Sequence, residues 1–288
     1  MQQESYQTSI DDESPWQQDF ELGLFVRAIK KSIGVDLDNY ARGSLKRRVR
    51  QLLYKQNVNF ISELIPKIIY DATFAQFIIN ELTVNVSALF RNPGVFASLL
   101  KNVFPVLASY TRIDIWVAGC ACGEEAYSLA ILLDEAALLE RSQIHATDIN
   151  VESLYIAGSG LLQRSLDRET AQRYRMAGGC NSLSNYFNGA YKDTRLNERL
   201  LKHISFNQHD LTQQEGFTSP QLILCRNVMI YFNQALQDKV LISLYNNLIP
   251  NGFLVIGANE SLNQSSIATQ LLAIDKNNRI YKSIKKRD

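Results

Sequence analysis

The chain has 288 residues, of which 46% are apolar and 20% charged, a composition typical of a folded globular protein with one large or two unequal domains. Its formal charge of +1 excludes a global field that would attract nucleic acid or an anionic membrane. The four cysteines are too few for a disulfide framework, and they and the histidines lack zinc-site spacing. We therefore expect a cytoplasmic protein without a metal, and no apolar stretch is long enough to predict a transmembrane helix.

The first part of the chain divides into a leader and a helical domain. Residues 1–20 are rich in Gln, Ser, Asp and Glu and have no apolar run, which predicts a mobile leader. Between residues 21 and 82 the apolar residues recur at helical spacing with almost no Pro or Gly, which predicts a small helical bundle. Its second helix is expected to begin near Gly43, with Ser44 as the N-cap.

The predicted second helix carries a row of basic residues. Arg42, Lys46 and Arg50 are spaced i, i+4, i+8 and would form one stripe, with Arg47 beside it. A charge run on a helix is usually a solvated face. This run has no interleaved Glu that could neutralise it, so a docking site for an acidic partner is weighed equally with a solvated face.

After Pro93 the pattern changes to short apolar strands that alternate with helices, including helices expected over residues 126–139 and 235–248. Such alternation predicts a doubly wound α/β sheet. Only Asp275–Asn278 separates the last two strands, and a connection of hairpin length predicts an antiparallel edge strand. The predicted strands are Ile113–Val117, Ile144–Thr147, Ile204–Phe206, Leu222–Cys225, Phe253–Ile256, Leu271–Ile274 and Arg279–Ser283.

The sheet domain is expected to span residues 83–288 and to carry an insertion. Residues 178–206 fit neither the strand nor the helix pattern, because short apolar pairs such as Tyr186-Phe187 and Ala190-Tyr191 are interrupted by Gly189. We interpret this segment as a small antiparallel β-flap inserted into the sheet domain.

The first predicted strand ends in a glycine-rich turn, with the sequence WVAGCACGEEAYS over residues 116–128. Gly119 and Gly123 permit a ligand to approach the backbone. Their spacing departs from the dinucleotide fingerprint G-x-G-x-x-G, and Glu124 and Glu125 at the helix entrance would repel a pyrophosphate. The turn therefore suits a ligand with a positive centre, or is only a tight turn before a helix whose first acids are stabilised by its dipole.

The second predicted strand ends at Asp148. An acid at this strand end can accept hydrogen bonds from both ribose hydroxyls of a nucleotide, and the alternative is a solvent-facing N-cap. Together with the acidic glycine turn, Asp148 favours a cationic adenosine ligand without phosphate. S-adenosylmethionine has this chemistry.

Two further motifs flank the glycine turn, NVSALFRNP over residues 85–93 and LCRNVMIYF over residues 224–232, and GFLVIGANESL over residues 252–262 lies near the end. With the turn and the strand that ends at Asp148, these motifs closely resemble the CheR-type chemotaxis receptor methyltransferases. That family's signatures read N-x-T-x-F-F-R, A-G-C-S-T-G-E-E-P-Y-S, A-T-D-I-D and C-R-N-V-L-I-Y-F. The resemblance covers nearly everything after residue 20.

This resemblance implies S-adenosylmethionine-dependent methyl-esterification of glutamate side chains on the cytoplasmic helices of chemoreceptors, with S-adenosylhomocysteine as the product. It assigns Arg91 and Tyr231 to catalysis, the basic second helix to receptor docking and the β-flap to binding a receptor tether. The residues implied at the cofactor are Asn85, Ser87, Arg91, Gly119, Glu125, Asp148, Asp210, Leu211, Arg226 and Asn227. Those implied in docking are Arg42, Lys46, Arg47 and Arg50.

The chain departs from the family signatures at several positions. Ser87 replaces a threonine and keeps the hydroxyl, whereas Ala121-Cys122 replaces Ser-Thr and removes two hydroxyls from the glycine turn. Asp210 stands where Asn is frequent in the family. We expect an active enzyme despite these changes.

The alternative function is a non-catalytic S-adenosylmethionine-binding adaptor of a signalling array, and a small-molecule methyltransferase is a further rival. Retention of Arg91, Asp148, Arg226-Asn227 and Tyr231 argues against the adaptor. A small acceptor needs no docking helix, and an alcohol acceptor would need a general base that the sequence does not suggest. We expect a monomer that acts on a chemoreceptor or a related signalling protein and does not bind nucleic acid.

Overall fold

The computed structural model describes residues 15–83, 87–189, 193–213 and 219–285. The chain divides into two compact units, a helical unit of Met1–Val84 with Tyr231–Leu236 and a sheet unit of Asn85–Ile230 with Gln237–Asp288. No helix within the described ranges is both long and apolar enough to span a bilayer.

The helical unit confirms the predicted helical bundle before the sheet. Asp71 caps its last helix, accepting hydrogen bonds from the backbone N–H groups of Thr73 at 2.9 Å and Phe74 at 3.0 Å. The helices are α1 (Pro15–Ile33), α2 (Arg42–Gln56), α3 (Leu64–Tyr70) and α4 (Ala72–Leu82). Their buried core includes Phe25, Ile29, Val49, Leu52, Ile68 and Ile78.

Two predicted boundaries in this unit are wrong. Helix α1 begins at Pro15, so the last residues of the expected leader are helical, and proline suits the first turn because its missing N–H is not needed there. Residues 1–14 lie outside the described ranges. Helix α2 begins at Arg42, and Ser44 is not its N-cap, because the extended residue is Ala41 and the Ser44 N–H already donates to the Ala41 carbonyl at 2.9 Å.

The sheet unit contains the predicted doubly wound sheet. Its seven strands run in the order β5-β2-β1-β6-β7-β9-β8. The first five of these are parallel, and β9 pairs antiparallel with both β7 and β8, which confirms the predicted edge hairpin. The strands are β1 (Ile113–Ala118), β2 (Ser142–Asp148), β5 (Ile204–Gln208), β6 (Leu222–Cys225), β7 (Phe253–Ile256), β8 (Leu271–Asp275) and β9 (Ile280–Ser283).

Helices flank this sheet, and one predicted helix is displaced. The helix expected over residues 126–139 is α7 (Glu124–Glu135). It starts earlier because Gly123 leaves the extended path at φ 94°, and it ends earlier because Ala137 adopts the left-handed φ of 54°. The other helices are α5 (Pro93–Asn102), α6 (Phe104–Leu107), α8 (Val151–Gly158), α9 (Arg168–Met176), α10 (Glu198–Leu201) and α11 (Gln234–Asn247).

The β-flap exists but is smaller than predicted. Two short antiparallel strands, β3 (Phe187–Asn188) and β4 (Arg195–Leu196), form a separate sheet. The expected end of the insertion at residue 206 is wrong, because Ile204 pairs in parallel with Ile144 and so begins β5 of the main sheet. Residues 190–192, which are part of the predicted flap, lie outside the described ranges.

Candidate active site

The candidate site lies at the carboxyl ends of the central strands of the sheet unit. Strand β1 pairs with β2 on one side and with β6 on the other, so the strand order reverses at β1. Ligands of open α/β sheets bind in the crevice at such a reversal. Gly119 follows β1, Asp148 ends β2 and Arg226 follows β6. The topology therefore brings three of the predicted cofactor residues to one edge.

At the first of these strand ends, Gly119 turns the chain sharply. It has the left-handed φ of 76°, and its N–H donates to the Thr147 carbonyl at 2.7 Å. A Cβ atom at this position would lie 2.2 Å from Cγ2 of Val228 in the loop after β6. Only glycine fits this close approach between two loops.

The cysteines of the glycine turn are packing residues. Cys120 and Cys122 are buried, and burial raises the pKa of the Cys122 thiol to about 11 and the pKa of Cys120 in the same direction. Both thiols are therefore protonated near neutral pH. In the described part of the chain no group of three His, Cys, Asp or Glu side chains is arranged to hold a metal ion.

Asp148 is held in place by the two turns around it. Its Oδ2 accepts a hydrogen bond from the Ala121 N–H at 2.8 Å, and its Oδ1 accepts one from the Asn150 N–H at 2.9 Å. Burial raises the pKa of this carboxyl, and these backbone hydrogen bonds oppose the rise. Because each carboxylate oxygen can accept more than one hydrogen bond, a fixed Asp148 can still accept ligand hydroxyls.

Arg226 forms the polar centre of the site. Its Nη1 forms an ion pair with Oε1 of Glu125, and the two side chains are only 3% and 12% exposed. Its Nη2 donates to the Arg91 carbonyl at 3.0 Å and to Oδ1 of Asn92 at 3.1 Å. Its Nε is buried and has no hydrogen-bond partner within the described ranges. One guanidinium therefore links the helix after β1 to the motif before the sheet.

The motif before the sheet presents Arg91 from a constrained backbone. Phe90 at φ 53° and Asn92 at φ 56° both adopt the left-handed conformation that non-glycine residues rarely take. The Phe90 N–H donates to Oγ of Ser128 at 2.9 Å, and the Arg91 side chain is exposed. Strain of this kind is concentrated at functional sites.

Glu124 is a site residue that the sequence analysis did not assign to the site. Its carboxylate accepts a hydrogen bond from the Ser87 hydroxyl, although burial has the larger effect and raises the pKa of Glu124. Ser87 therefore contacts a protein carboxylate. Asn85, predicted beside it, lies outside the described residues.

The predicted adenine-side residues have local partners. Oδ1 of Asp210 accepts from the Thr212 N–H at 2.8 Å, which makes the acid that replaces the family's Asn a cap of its own turn. Leu211 follows it and is half-buried. Asn227 has a left-handed φ of 62°.

A second missed residue, Glu260, accepts hydrogen bonds from the Val228 N–H at 3.0 Å and the Met229 N–H at 2.8 Å. Its signal in the sequence was the motif over residues 252–262, which the sequence analysis noted without giving Glu260 a role.

Tyr231 belongs to the helical unit. Its carbonyl accepts a hydrogen bond from the Ala41 N–H at 2.7 Å, and it closes a short turn at Met229–Tyr231. The predicted pairing of Tyr231 with Arg91 in catalysis therefore stays a prediction.

The basic stripe of α2 has an acidic neighbour that spacing along α2 could not reveal. Asp19 of α1 lies 2.7 Å from Nζ of Lys46 and 3.8 Å from Nη1 of Arg42, measured from its Oδ1. Arg47 and Arg50 are exposed, and Nη2 of Arg50 lies 3.4 Å from Oε1 of Gln18. An acid from another helix therefore neutralises part of the stripe, although α2 itself supplies none.

Comparison with known families identifies the family of the sequence. The sequence matches the profile described as "CheR methyltransferase, SAM binding domain" over residues 85–277 and the profile described as "CheR methyltransferase, all-alpha domain" over residues 21–83. The chain belongs to the CheR methyltransferase family. Its sheet unit is an S-adenosylmethionine-binding methyltransferase domain, which confirms the predicted family, fold and cofactor.

Individual CheR relatives are similar over most of their length. The chain is 37% identical to the methyltransferase Cher3 of Pseudomonas putida, a match that covers 92% of this chain and 97% of the relative. It is 30% identical to a chemotaxis protein methyltransferase of Listeria innocua, with 83% and 88% covered. It is 27% identical to chemotaxis protein methyltransferase 1 of Pseudomonas aeruginosa, with 85% and 90% covered.

The described residues fit S-adenosylmethionine. The Gly119 turn has no room for a Cβ, and Asp148 at the second strand end remains able to accept hydroxyl donors. Glu124 and Glu125 at the start of α7 suit a cationic ligand better than a phosphate. The residues predicted to hold the cofactor include Ser87, Gly119, Glu125, Asp148, Arg226 and Asn227, and their individual contacts with it stay a prediction.

Proposed function

We propose that this CheR-family methyltransferase methylates glutamate side chains on the cytoplasmic helices of chemoreceptors and so serves adaptation in chemotaxis. The observation that carries this proposal is Arg91, whose carbonyl is held by Arg226 while its side chain is exposed. An exposed arginine whose backbone is held in place suits an anionic acceptor. Two relatives that match over most of their length are named chemotaxis protein methyltransferases.

A glutamate acceptor requires little acid–base catalysis from the enzyme. S-adenosylmethionine supplies a methyl group activated by the adjacent sulfonium. The acceptor, with an ordinary pKa of ~4.3, is already ionised at neutral pH and needs no general base. The protein's task is then orientation and exclusion of water, which can contribute on the order of 7–11 kcal/mol at best. Arg91 would guide the carboxylate, and Tyr231 would hold one oxygen by a hydrogen bond.

The docking partner follows from the charge of α2. Arg47 and Arg50 are exposed on this helix, while Asp19 neutralises Lys46 in part. An acidic, helical receptor segment would complement the remaining positive charge. The four basic residues Arg42, Lys46, Arg47 and Arg50 are therefore proposed to select the acceptor protein.

The decisive experiment follows radiolabelled methyl groups from S-adenosylmethionine to a chemoreceptor cytoplasmic fragment. Mild alkali should release the label as volatile methanol, because carboxyl methyl esters are base-labile. Arg91→Ala should lose transfer, while the matched control Arg112→Ala, an exposed arginine paired with Asp114, should retain it. Cofactor binding without transfer to any acidic helical substrate would contradict the proposal and would favour the adaptor.

A further inference from the structure

Glu260 is a buried carboxylate that clamps two loops together. It is only 4% exposed. Its Oε1 accepts hydrogen bonds from the N–H groups of Val228 and Met229, at 3.0 and 2.8 Å, and its Oε2 accepts one from the Gly257 N–H. One side chain thus joins the loop after β6 to the loop after β7.

The clamped loop carries the residues of the cofactor site. Arg226 and Asn227 directly precede Val228, and Asn227 is held at the left-handed φ of 62°. A Cβ on Gly257 would lie 2.8 Å from the Asn227 nitrogen and 2.7 Å from Oε2 of Glu260. The two loops therefore approach each other as closely as a glycine allows.

The same loop also contacts the glycine turn. Val228, whose N–H is bound by Glu260, is the residue that a Cβ on Gly119 would strike at 2.2 Å. A shift of Val228 would change its packing against Gly119 in the turn after β1. It would also move the neighbouring residue Asn227. Glu260 is thus one contact away from two parts of the site.

The chemistry of the clamp explains why a carboxylate is used. Buried backbone N–H groups need acceptors, and a carboxylate offers two oxygens that form stronger, charge-assisted hydrogen bonds. Burial raises the pKa of Glu260, and the backbone donors oppose that rise. An amide at this position would turn its NH₂ group toward one of the donors, so at least one N–H would lose its acceptor.

We propose that Glu260 is a positioning residue for S-adenosylmethionine, which holds residues 226–229 so that Arg226 and Asn227 face the cofactor. The inference rests on the S-adenosylmethionine-binding domain and is independent of the proposed glutamate acceptor. Its test therefore measures binding of S-adenosylhomocysteine by calorimetry on the full chain, without an acceptor protein.

Glu260→Gln should bind S-adenosylhomocysteine roughly 10- to 100-fold more weakly than the parent, because an unsatisfied buried donor displaces the loop. The matched control is Glu135→Gln, which changes another carboxylate that accepts backbone hydrogen bonds, from Cys180 and Asn181. Glu135 ends α7, at the opposite end from the site. The control should lower the melting temperature and leave the affinity unchanged.

A double-mutant cycle separates positioning from a general loss of stability. If Glu260 acts through Asn227, the affinity loss of Glu260→Gln with Asn227→Ala should be clearly smaller than the product of the two single losses. An affinity loss of the double variant equal to the product of the two single losses would overturn the proposal. Parent-like affinity of folded Glu260→Gln would overturn it as well.

A second variant covers the case in which Glu260→Gln does not fold. Gly257→Ala keeps the carboxylate and adds a methyl group at the crowded contact, and it should weaken binding of S-adenosylhomocysteine at least tenfold. Gly252→Ala is its control, because a Cβ there would lie 2.8 Å from Cγ of Leu248, away from the site loops. Equal affinity losses in the two glycine variants would contradict the positioning role.

Discussion

The Asp148 carboxylate receives one backbone N–H on each oxygen, from Ala121 at 2.8 Å and from Asn150 at 2.9 Å. These donors fix its plane at the end of β2. Partial burial raises its pKa above the ordinary value of 3.8, so Asp148 takes up a proton at a higher pH than an exposed aspartate. The neighbouring thiols of Cys120 and Cys122 stay protonated and carry no charge.

Binding of S-adenosylhomocysteine should therefore weaken as the pH falls from 7.5 through the raised pKa of Asp148, because the protonated carboxyl loses acceptor capacity. Asp148→Asn should bind about tenfold or more weakly at pH 7.5, the usual loss for a hydrogen bond to a charged group. It should also show a flatter pH profile over this range. Calorimetry at a series of pH values measures both effects, and identical profiles for parent and variant would exclude Asp148 as the titrating group.

The guanidinium of Arg91 can be separated from its backbone by mutation. The contact with Arg226 uses the Arg91 carbonyl, which alanine retains. Arg91→Ala should therefore lower the rate of methyl transfer about 100-fold, a typical loss for one charge-stabilising donor, with a smaller change in affinity for S-adenosylhomocysteine. Initial rates and calorimetry on the same preparation give the comparison. Unchanged turnover would remove Arg91 from catalysis.

At the scale of elements, the alternation of apolar runs was enough to predict the doubly wound sheet and its edge hairpin. The start of α2 was not predictable, because a long-range contact decides it: the Ala41 N–H donates to the Tyr231 carbonyl. In the site, the strand ends predicted the places of Gly119 and Asp148, whereas Arg226 was implied only by the resemblance to the family. The ion pair of Arg226 with Glu125 could not be predicted, since spacing along the chain says nothing about partners in separate elements.

The contact between α1 and α2 sets how much positive charge α2, the proposed docking helix, presents. Asp19→Asn should free Lys46 and Arg42 and strengthen binding of an acidic receptor fragment about twofold at low salt, the small effect expected of an exposed ion pair. The gain should shrink at high salt because of screening. Fluorescence titrations at two salt concentrations measure it.

The matched control for this prediction is Asp38→Asn. Asp38 also faces a lysine, since its Oδ2 lies 3.6 Å from Nζ of Lys30, but that lysine belongs to α1 and not to α2. This variant should leave receptor binding unchanged. Equal gains in both variants would show that net charge, and not the basic stripe, governs docking.

Among the described residues of the sheet unit, hydrogen bonds hold the motif before the sheet against the site. The Ser87 hydroxyl binds Glu124, the Phe90 N–H binds Ser128, and Arg226 binds the Arg91 carbonyl. This arrangement buries the negatively charged carboxylates of Glu124 and Asp148. Burial raises the pKa of Glu124 and of Asp148, so keeping them ionised at neutral pH destabilises the folded state.

The sign of the resulting pH dependence can be tested at Glu124. Its pKa is raised on folding above the ordinary value of 4.5, so its contribution to stability grows as the pH falls through the folded pKa. Glu124→Gln keeps an acceptor for Ser87 and removes the charge. The variant should melt about 2 °C above the parent at pH 7.5, and the difference should shrink toward pH 5.

Glu135→Gln is the control with the opposite sign. Burial alone would raise the pKa of Glu135, but hydrogen bonds from Tyr174, Tyr186, Asn181 and Cys180 outweigh it and lower the pKa. A lowered pKa stabilises the fold above the ordinary value of 4.5, and this stability is lost only as the pH falls through the folded pKa. This variant should therefore melt below the parent by a constant amount between pH 7.5 and 5.5. If Glu124→Gln and Glu135→Gln changed the melting temperature with the same pH dependence, the buried charge of Glu124 would not be the cause of that dependence.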